Sequence, residues 1–234
     1  MVTTLYERAK QKLRRWAMPP VVRAVQTRSL SYLSEDALND LFEQVRIVES
    51  RKIKGILVEA GCALGGSAIV MAAAKSKTRP LYVYDVFGMI PKPSARDGED
   101  VQQRYQAIKG GQSPGIAGNR YYGYEEDLLT TVTENFRRHG VPVEANGVHL
   151  VKGLFEDTLR VEEPVALAHL DGDWYESVMT CLRRLEPHLV RDGVLIIDDY
   201  ERWSGCREAV DEYFRDRLDH YEFVHRSRLH IIRK

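Results

Sequence analysis

The chain has 234 residues, enough for one sizeable α/β core, and its 34 basic side chains balance its 34 acidic ones. That balance gives no argument for a nucleic-acid partner, and no apolar run is long enough to cross a bilayer. Cys62, Cys181 and Cys206, without CxxC spacing and with no secretory h-region before them, suit reduced thiols in a cytoplasm better than a disulfide framework.

Charge is uneven along the chain. Residues 1–28 hold seven basic side chains and one acid, about +6, which leaves the remainder near −6. Leu5, Ala9, Leu13 and Trp16 recur at helical spacing and predict a basic helical segment within residues 1–33. Such a helix more often packs on its own domain or a second subunit than on an anionic membrane. Met18-Pro19-Pro20 is expected to end it.

Residues 34–234 read as a single domain. Ser34, followed by Glu35 and Asp36, marks a helix start, with Leu38, Leu41, Phe42 and Val45 on one face. Strand and helix then alternate: a strand at Ile56–Glu59, an Ala-rich helix at Ser67–Ser76, a strand at Leu81–Tyr84. A helix follows at Glu125–His139, ended by Gly140, then strands at Val148–Val151 and Val165–Leu170. The series continues with a helix from Trp174 to Leu189, a strand at Val194–Ile197 and a helix over 205–218. Tyr221–His225 and Leu229–Ile232, separated only by Arg226-Ser227-Arg228, are too close for a crossover and must form an antiparallel hairpin.

Five strands with crossovers followed by that hairpin predict an α/β, Rossmann-like sheet of seven strands, the pattern of class I S-adenosylmethionine-dependent methyltransferases. One stretch breaks the rhythm. Residues 88–124 are far longer than an ordinary βα loop, rich in Gly, Pro and Tyr, and leave the sheet at its ligand-binding edge. They read as a lid over the acceptor side, with a short helix at Val101–Ile108.

Glu59-Ala60-Gly61-Cys62-Ala63-Leu64-Gly65-Gly66-Ser67 follows the first strand and opens a helix. Ala63 stands where a dinucleotide fingerprint needs Gly, so the loop suits a ligand without a pyrophosphate, such as S-adenosylmethionine. Asp85 ends the second strand, where a ribose diol would meet a carboxylate. Asp171 and Asp173 end one later strand, and Asp198 and Asp199 the next. Four acids at one edge repel unless a cation neutralises them, and oxygen-only ligands favour Mg²⁺ or a similar hard ion over zinc. Asp171, Asp198 and Asp199 are assigned to the metal, and Asp173, left free, to the general base. The plainer alternatives are a capping box of Asp173 with Glu176 and a solvated strand end at Asp198-Asp199.

EAGCALGGSA (59–68), VYDVF (83–87), EEDLLTTVTENFRRHG (125–140), VKGLFEDTL (151–159), HLDGDWYES (169–177), GVLIIDDY (193–200) and CREAVDEYF (206–214) resemble the macrocin O-methyltransferase family over roughly residues 55–215. The resemblance implies an Mg²⁺- and S-adenosylmethionine-dependent enzyme that methylates a sugar hydroxyl of a glycosylated natural product. It implies the same metal and base roles for the four aspartates. It also places Glu59, Ala60, Gly61, Asp85, Phe87, Gly153 and Phe155 at the cofactor, where the glycine loop itself adds Gly65 and Ser67 and the acid edge adds Asp171. Homo-oligomers with N-terminal contacts are a further implication. Trp174, Trp203 and the length of 88–124 depart from the family pattern near the acceptor. There Tyr121, Tyr122, Tyr124, Trp174, Tyr175 and Trp203 are candidates for stacking, although each alone more often serves packing. Competing readings are a catechol or phenol O-methyltransferase, a protein related to the cephalosporin-type hydroxylases, and a non-catalytic binding protein on the same sheet. His149 and His169 are expected to be packed rather than catalytic.

Overall fold

The computed structural model describes residues 18–234. The basic helix expected over Leu5 to Trp16 lies outside the described residues. Met18-Pro19-Pro20, expected only to end that helix, begins another, α1 (Pro20–Thr27), with Pro20 in its first turn. Proline suits that position because its missing N–H would have had no partner there. Ser34 caps α2 (Glu35–Ser50), its hydroxyl accepting from the Ala37 amide at 3.2 Å.

The strands are β1 (Ile56–Ala60), β2 (Leu81–Asp85), β3 (Val148–Lys152), β4 (Val165–Leu170), β5 (Leu189–Ile197), β6 (Tyr221–His225) and β7 (Leu229–Arg233). Between them lie α3 (Gly66–Ala74), α4 (Glu99–Lys109), α5 (Leu128–Arg138), α6 (Phe155–Thr158), α7 (Tyr175–Leu185) and α8 (Ser204–Phe214). They form one sheet in the order β3-β2-β1-β4-β5-β7-β6. β1 to β5 run parallel, and β7 is antiparallel to both β5 and β6, as the short hairpin link requires.

Alternation along the strands divides the core. Leu57, Leu81, Val83, Leu167 and Ile196 pack against α1, α2, α3 and α5, while Val58, Ala60, Ala168, Leu195 and Ile197 pack against α7 and α8. Burial on both faces is why these strands read as continuous apolar runs. Several helices are shorter than their periodicity suggested, among them α5, which spans Leu128–Arg138 rather than Glu125–His139. α7 stops at Leu185, gives way to a turn at Glu186–His188 containing Pro187, and β5 is already under way at Leu189. α8 stops at Phe214.

Residues 88–124 are pinned rather than loose. Arg96 pairs with Glu208 and Glu212 of α8, each at 2.6 Å, and Asp100 accepts from the Ser204 amide and hydroxyl. The register pairs Ala60 with Tyr84, Ala60 with Leu170, and Leu170 with Ile197. The strands therefore end level, and the order reverses between β1 and β4, which is where an open α/β sheet forms its ligand crevice.

Candidate active site

The loops leaving β1, β2, β4 and β5 are stitched together by main-chain bonds that extend the ladders. The Gly61 amide donates to Tyr84 O, Asp171 to Ala60 O and Asp198 to Leu170 O, at 2.8, 2.8 and 2.9 Å. Gly61 sits at φ +89°, and a Cβ there would collide with the Asp171 carbonyl oxygen. The glycine turn and the first acid loop thus pack backbone against backbone, which only glycine permits.

Above them lies a cavity of about 470 Å³ whose walls include Gly61, Asp85, Phe155, Tyr121, Tyr122, Trp174, Trp203 and all four aspartates. Glu59, Ala60, Gly65, Ser67, Phe87 and Gly153 are absent from this wall. Glu59 is fully buried, accepts from the Ser67 hydroxyl and from His169 Nδ1 (3.2 Å), and leaves Oε2 without a partner among the described residues. Gly65, at φ +87°, makes room for Val132 and Phe136 of α5. Asp85 accepts from the Cys62 and Phe87 amides, both at 2.7 Å. Burial pushes its carboxyl up, while those amides hold it down.

The aspartates fall into two environments. Asp171, Asp173 and Asp199 each place an oxygen within 4.8 Å of the others. Burial, reinforced by the facing carboxylates, drives Asp171 and Asp199 well above the usual carboxylate range. Asp199 Oδ2 is buried without a hydrogen-bond partner among the described residues. Such an arrangement of oxygen donors could hold a hard cation. Asp198 turns aside: its Oδ1 receives the Arg228 guanidinium at 2.6 Å and lies 3.6 Å from His169 Nε2. Burial opposes its charge, but His169 and Arg228 outweigh it and hold its pKa low. His169, enclosed between Glu59 and Asp198, is lifted by them to about 10 despite the burial that opposes its charge. The three oxygens gathered here differ by one residue from the set assigned from sequence, with Asp173 in the place of Asp198.

Asp173 has φ +53°, unusual for a non-glycine residue, and its Oδ1 accepts the Trp203 indole N–H at 2.9 Å. Burial pushes its carboxyl up, Trp203 and Asp199 pull it back, and it settles at about 6. No capping box forms with Glu176. Trp174 is the residue before α7, and the first helical amide, Tyr175 N, donates instead to Asp97 Oδ1 at 2.7 Å. Asp97 lies in the 88–124 segment, where nothing in its surroundings in sequence marked it. Tyr32, Arg104 and Arg228 also line the cavity and were not singled out from sequence.

Of the six aromatic candidates, Tyr124 and Tyr175 are absent from the cavity wall. Tyr124 donates to Ile108 O at 2.6 Å, and Tyr175 lies under the Arg96 guanidinium. Trp174 is a strut: 2 % exposed, it donates to Pro91 O at 3.0 Å and meets Trp203 edge-on at 5.9 Å. His169 is packed, as expected, but between two carboxylates.

The strand order, the closing antiparallel pair and a glycine turn facing strand-end acids define the fold of a class I S-adenosylmethionine-dependent methyltransferase. A model of the macrocin O-methyltransferase family matches residues 25–221, and the chain belongs to that family. It is 31 % identical over 188 residues to demethyldecarbamoylnovobiocin O-methyltransferase of Streptomyces niveus. It is 32 % identical over 182 residues to 8-demethyl-8-(2,3-dimethoxy-alpha-L-rhamnosyl)-tetracenomycin-C 4′-O-methyltransferase of Streptomyces olivaceus. Each match takes in 75 % of this chain but spans only 64 % of the relative's length. The solved structure of the O-methyltransferase NovP superposes with a TM-score of 0.73 at 26 % identity, covering 88 % of this chain and 82 % of that one. The calicheamicin methyltransferase CalS11, at 18 % identity and a TM-score of 0.60, covers 84 % of this chain and 76 % of its own and shares the fold. Among the described residues no helix is long and apolar enough to cross a membrane.

Proposed function

We propose that the protein is an Mg²⁺-dependent, S-adenosylmethionine-dependent O-methyltransferase acting on a sugar hydroxyl of a glycosylated natural product. The observation that carries this reading is the convergence of four strand-end aspartates, one with an orphaned buried oxygen, beside a glycine turn and a ribose-suited Asp85 in a single cavity. The names of the two Streptomyces relatives support it, since the second places its methyl on a rhamnosyl oxygen. Three buried, unpaired cysteines fit the cytoplasmic setting that belongs to the same proposal, together with a homo-oligomeric assembly.

S-adenosylmethionine, when bound, supplies a methyl already activated on sulfonium, and a hard divalent cation, when bound, neutralises the acids and acidifies a hydroxyl beside it. The chain does the positioning. Gly61, Asp85, Phe155 and Asp171 border the cofactor, with Glu59, Ala60, Gly65, Ser67, Phe87 and Gly153 supporting them. Asp171 and Asp199, common to the sequence assignment and to the observed cluster, form the core of the ion site. Asp198, kept anionic by His169 and Arg228, is the third ligand. Asp173 takes the proton from the acceptor hydroxyl, since a carboxyl near 6 is ionised at neutral pH yet basic enough to accept it. Trp203 holds that carboxylate in one orientation, and alignment of oxygen, carbon and sulfur supplies the rest of the barrier reduction.

The test is a screen of glycosylated and phenolic acceptors, read by mass spectrometry as a gain of one methyl group. Product with a glycoside that disappears in EDTA and returns with Mg²⁺ is the expected result. Full turnover in chelator removes the metal from the account, and methylation of phenols alone removes the sugar.

A further inference from the structure

The cavity has an acidic floor but a basic rim, and part of that rim has no counter-charge. Arg226 and Arg228 are answered by Asp40 at 3.5 Å and Asp198 at 2.6 Å. Arg104 and Arg202 are not: neither has a carboxylate within 4.0 Å among the described residues. Arg104, on α4, is half-buried in the wall, with its guanidinium 5.8 Å from the Tyr121 ring. Arg202 lies 5.0 Å over the ring of Trp203, the residue that holds Asp173. Both act electrostatically on the Tyr32 hydroxyl, which also senses Asp173, so the two cations and Asp173 serve one corner of the cavity.

Arg104 does face Asp173 across that corner. Yet Asp198 is already paired with Arg228, and a divalent cation would neutralise most of the remaining floor. The one carboxylate then left charged is Asp173, and it faces two guanidinium groups, Arg104 and Arg202, so one positive charge at this corner has no counter-charge. A planar fork of N–H donors on an open wall matches a phosphate or carboxylate two bonds at a time.

We infer that the acceptor carries its own anionic group, a phosphate ester or a carboxylate next to the sugar, and that Arg104, assisted by Arg202, selects it. This rests on reading the site as a sugar O-methyltransferase. It turns the specificity question from the shape of a neutral aglycone to the charge beside the reacting ring.

The test is calorimetric titration of the full chain, saturated with S-adenosylhomocysteine at fixed free Mg²⁺, with glucose 1-phosphate, glucuronic acid and methyl glucoside. At least one charged sugar should bind tenfold or more tighter than methyl glucoside, and whichever leads distinguishes phosphate from carboxylate. The preference should weaken with added salt. Arg104→Gln should remove most of it, and Arg104→Lys should keep part, because charge survives without the fork. Equal affinities for the three sugars, no binding of either charged one, or an undiminished preference in Arg104→Gln overturns the inference. S-adenosylhomocysteine affinity separates the two levels: its loss in the unaltered chain strikes the methyltransferase reading itself, whereas intact cofactor binding without charge preference strikes only the anion.

Discussion

Trp203→Phe isolates the contact that orients the proposed base. Phenylalanine keeps an aromatic edge against Trp174 but removes the N–H that reaches Asp173 Oδ1 at 2.9 Å. A hydrogen bond to a charged group contributes about 1.5–3 kcal/mol. Part of that returns as rearrangement and water entry, leaving roughly 1.4 kcal/mol, or about one pKa unit. The sign follows from the causes acting on Asp173. Burial raises its carboxyl, Trp203 and Asp199 lower it, and it stands at about 6, so losing Trp203 moves it upward. A base that is mostly ionised at pH 7 then becomes about half protonated, and misorientation costs more. We expect kcat at pH 7 to fall about five- to tenfold, the acid limb of the pH–rate profile to shift up by about one unit, and only the roughly twofold share that is due to protonation to be recovered at pH 9. The assay is methyl transfer followed from pH 5 to 10, with KM for S-adenosylmethionine expected to stay within about twofold. An unchanged kcat with an unmoved acid limb refutes the role given to Trp203.

Gly61→Ala forces a left-handed alanine against the Asp171 carbonyl; about 1–2 kcal/mol of backbone strain plus the collision should lower Tm by on the order of 10 °C and weaken S-adenosylhomocysteine binding. A Tm within 2 °C of the unaltered protein would show that the two loops are not in contact. Asp97→Ala removes the acceptor for the Tyr175 amide and the Ser94 tether, and should cost about 1–2 kcal/mol in urea unfolding; no loss would mean that α7 is capped otherwise. Asp40 is raised by burial but pulled further down, by His230 and Ser227 foremost, to about 2 from an ordinary 3.8. Its contribution is therefore present above about pH 4 and is lost as pH falls toward 2. Discounted for its partial exposure, it amounts to about 1 kcal/mol. Asp40→Asn should lose that much stability at pH 6 and progressively less from pH 4 downward, and a gap that does not narrow would contradict the assignment.

What could be read in the sequence follows from what repeats locally. Val165–Leu170 appears with the bounds expected of it because both its faces are buried and its composition has no helical period. The hairpin follows from a three-residue link that leaves no room for a crossover. The strand-end acids are legible because topology carries every parallel strand to one edge. The rest depends on partners distant in the chain. Tyr175 finds its cap in Asp97, 78 residues earlier, and Asp198 meets Arg228 only because β7 lies beside β5. Neither pair has any periodicity to betray it. The same limit explains Trp174, a stacking candidate whose packing partner, the Pro91 carbonyl of the long β2–α4 connection, no local pattern could name. It also explains Glu59, whose Oε1 accepts from Ser67 and His169 while its Oε2 has no partner among the described residues.

The division of the four acids into ligands and base is tested most directly by Asp173→Asn, with Mg²⁺ affinity and single-turnover methyl transfer measured on the same preparation. The account predicts that transfer falls by about a thousandfold, as expected for loss of a general base, while Mg²⁺ affinity stays within about threefold of the unaltered protein. A collapse of Mg²⁺ affinity would make Asp173 a ligand, as its proximity to Asp171 and Asp199 would then have foretold. Retained turnover would show that the acceptor gives up its proton elsewhere.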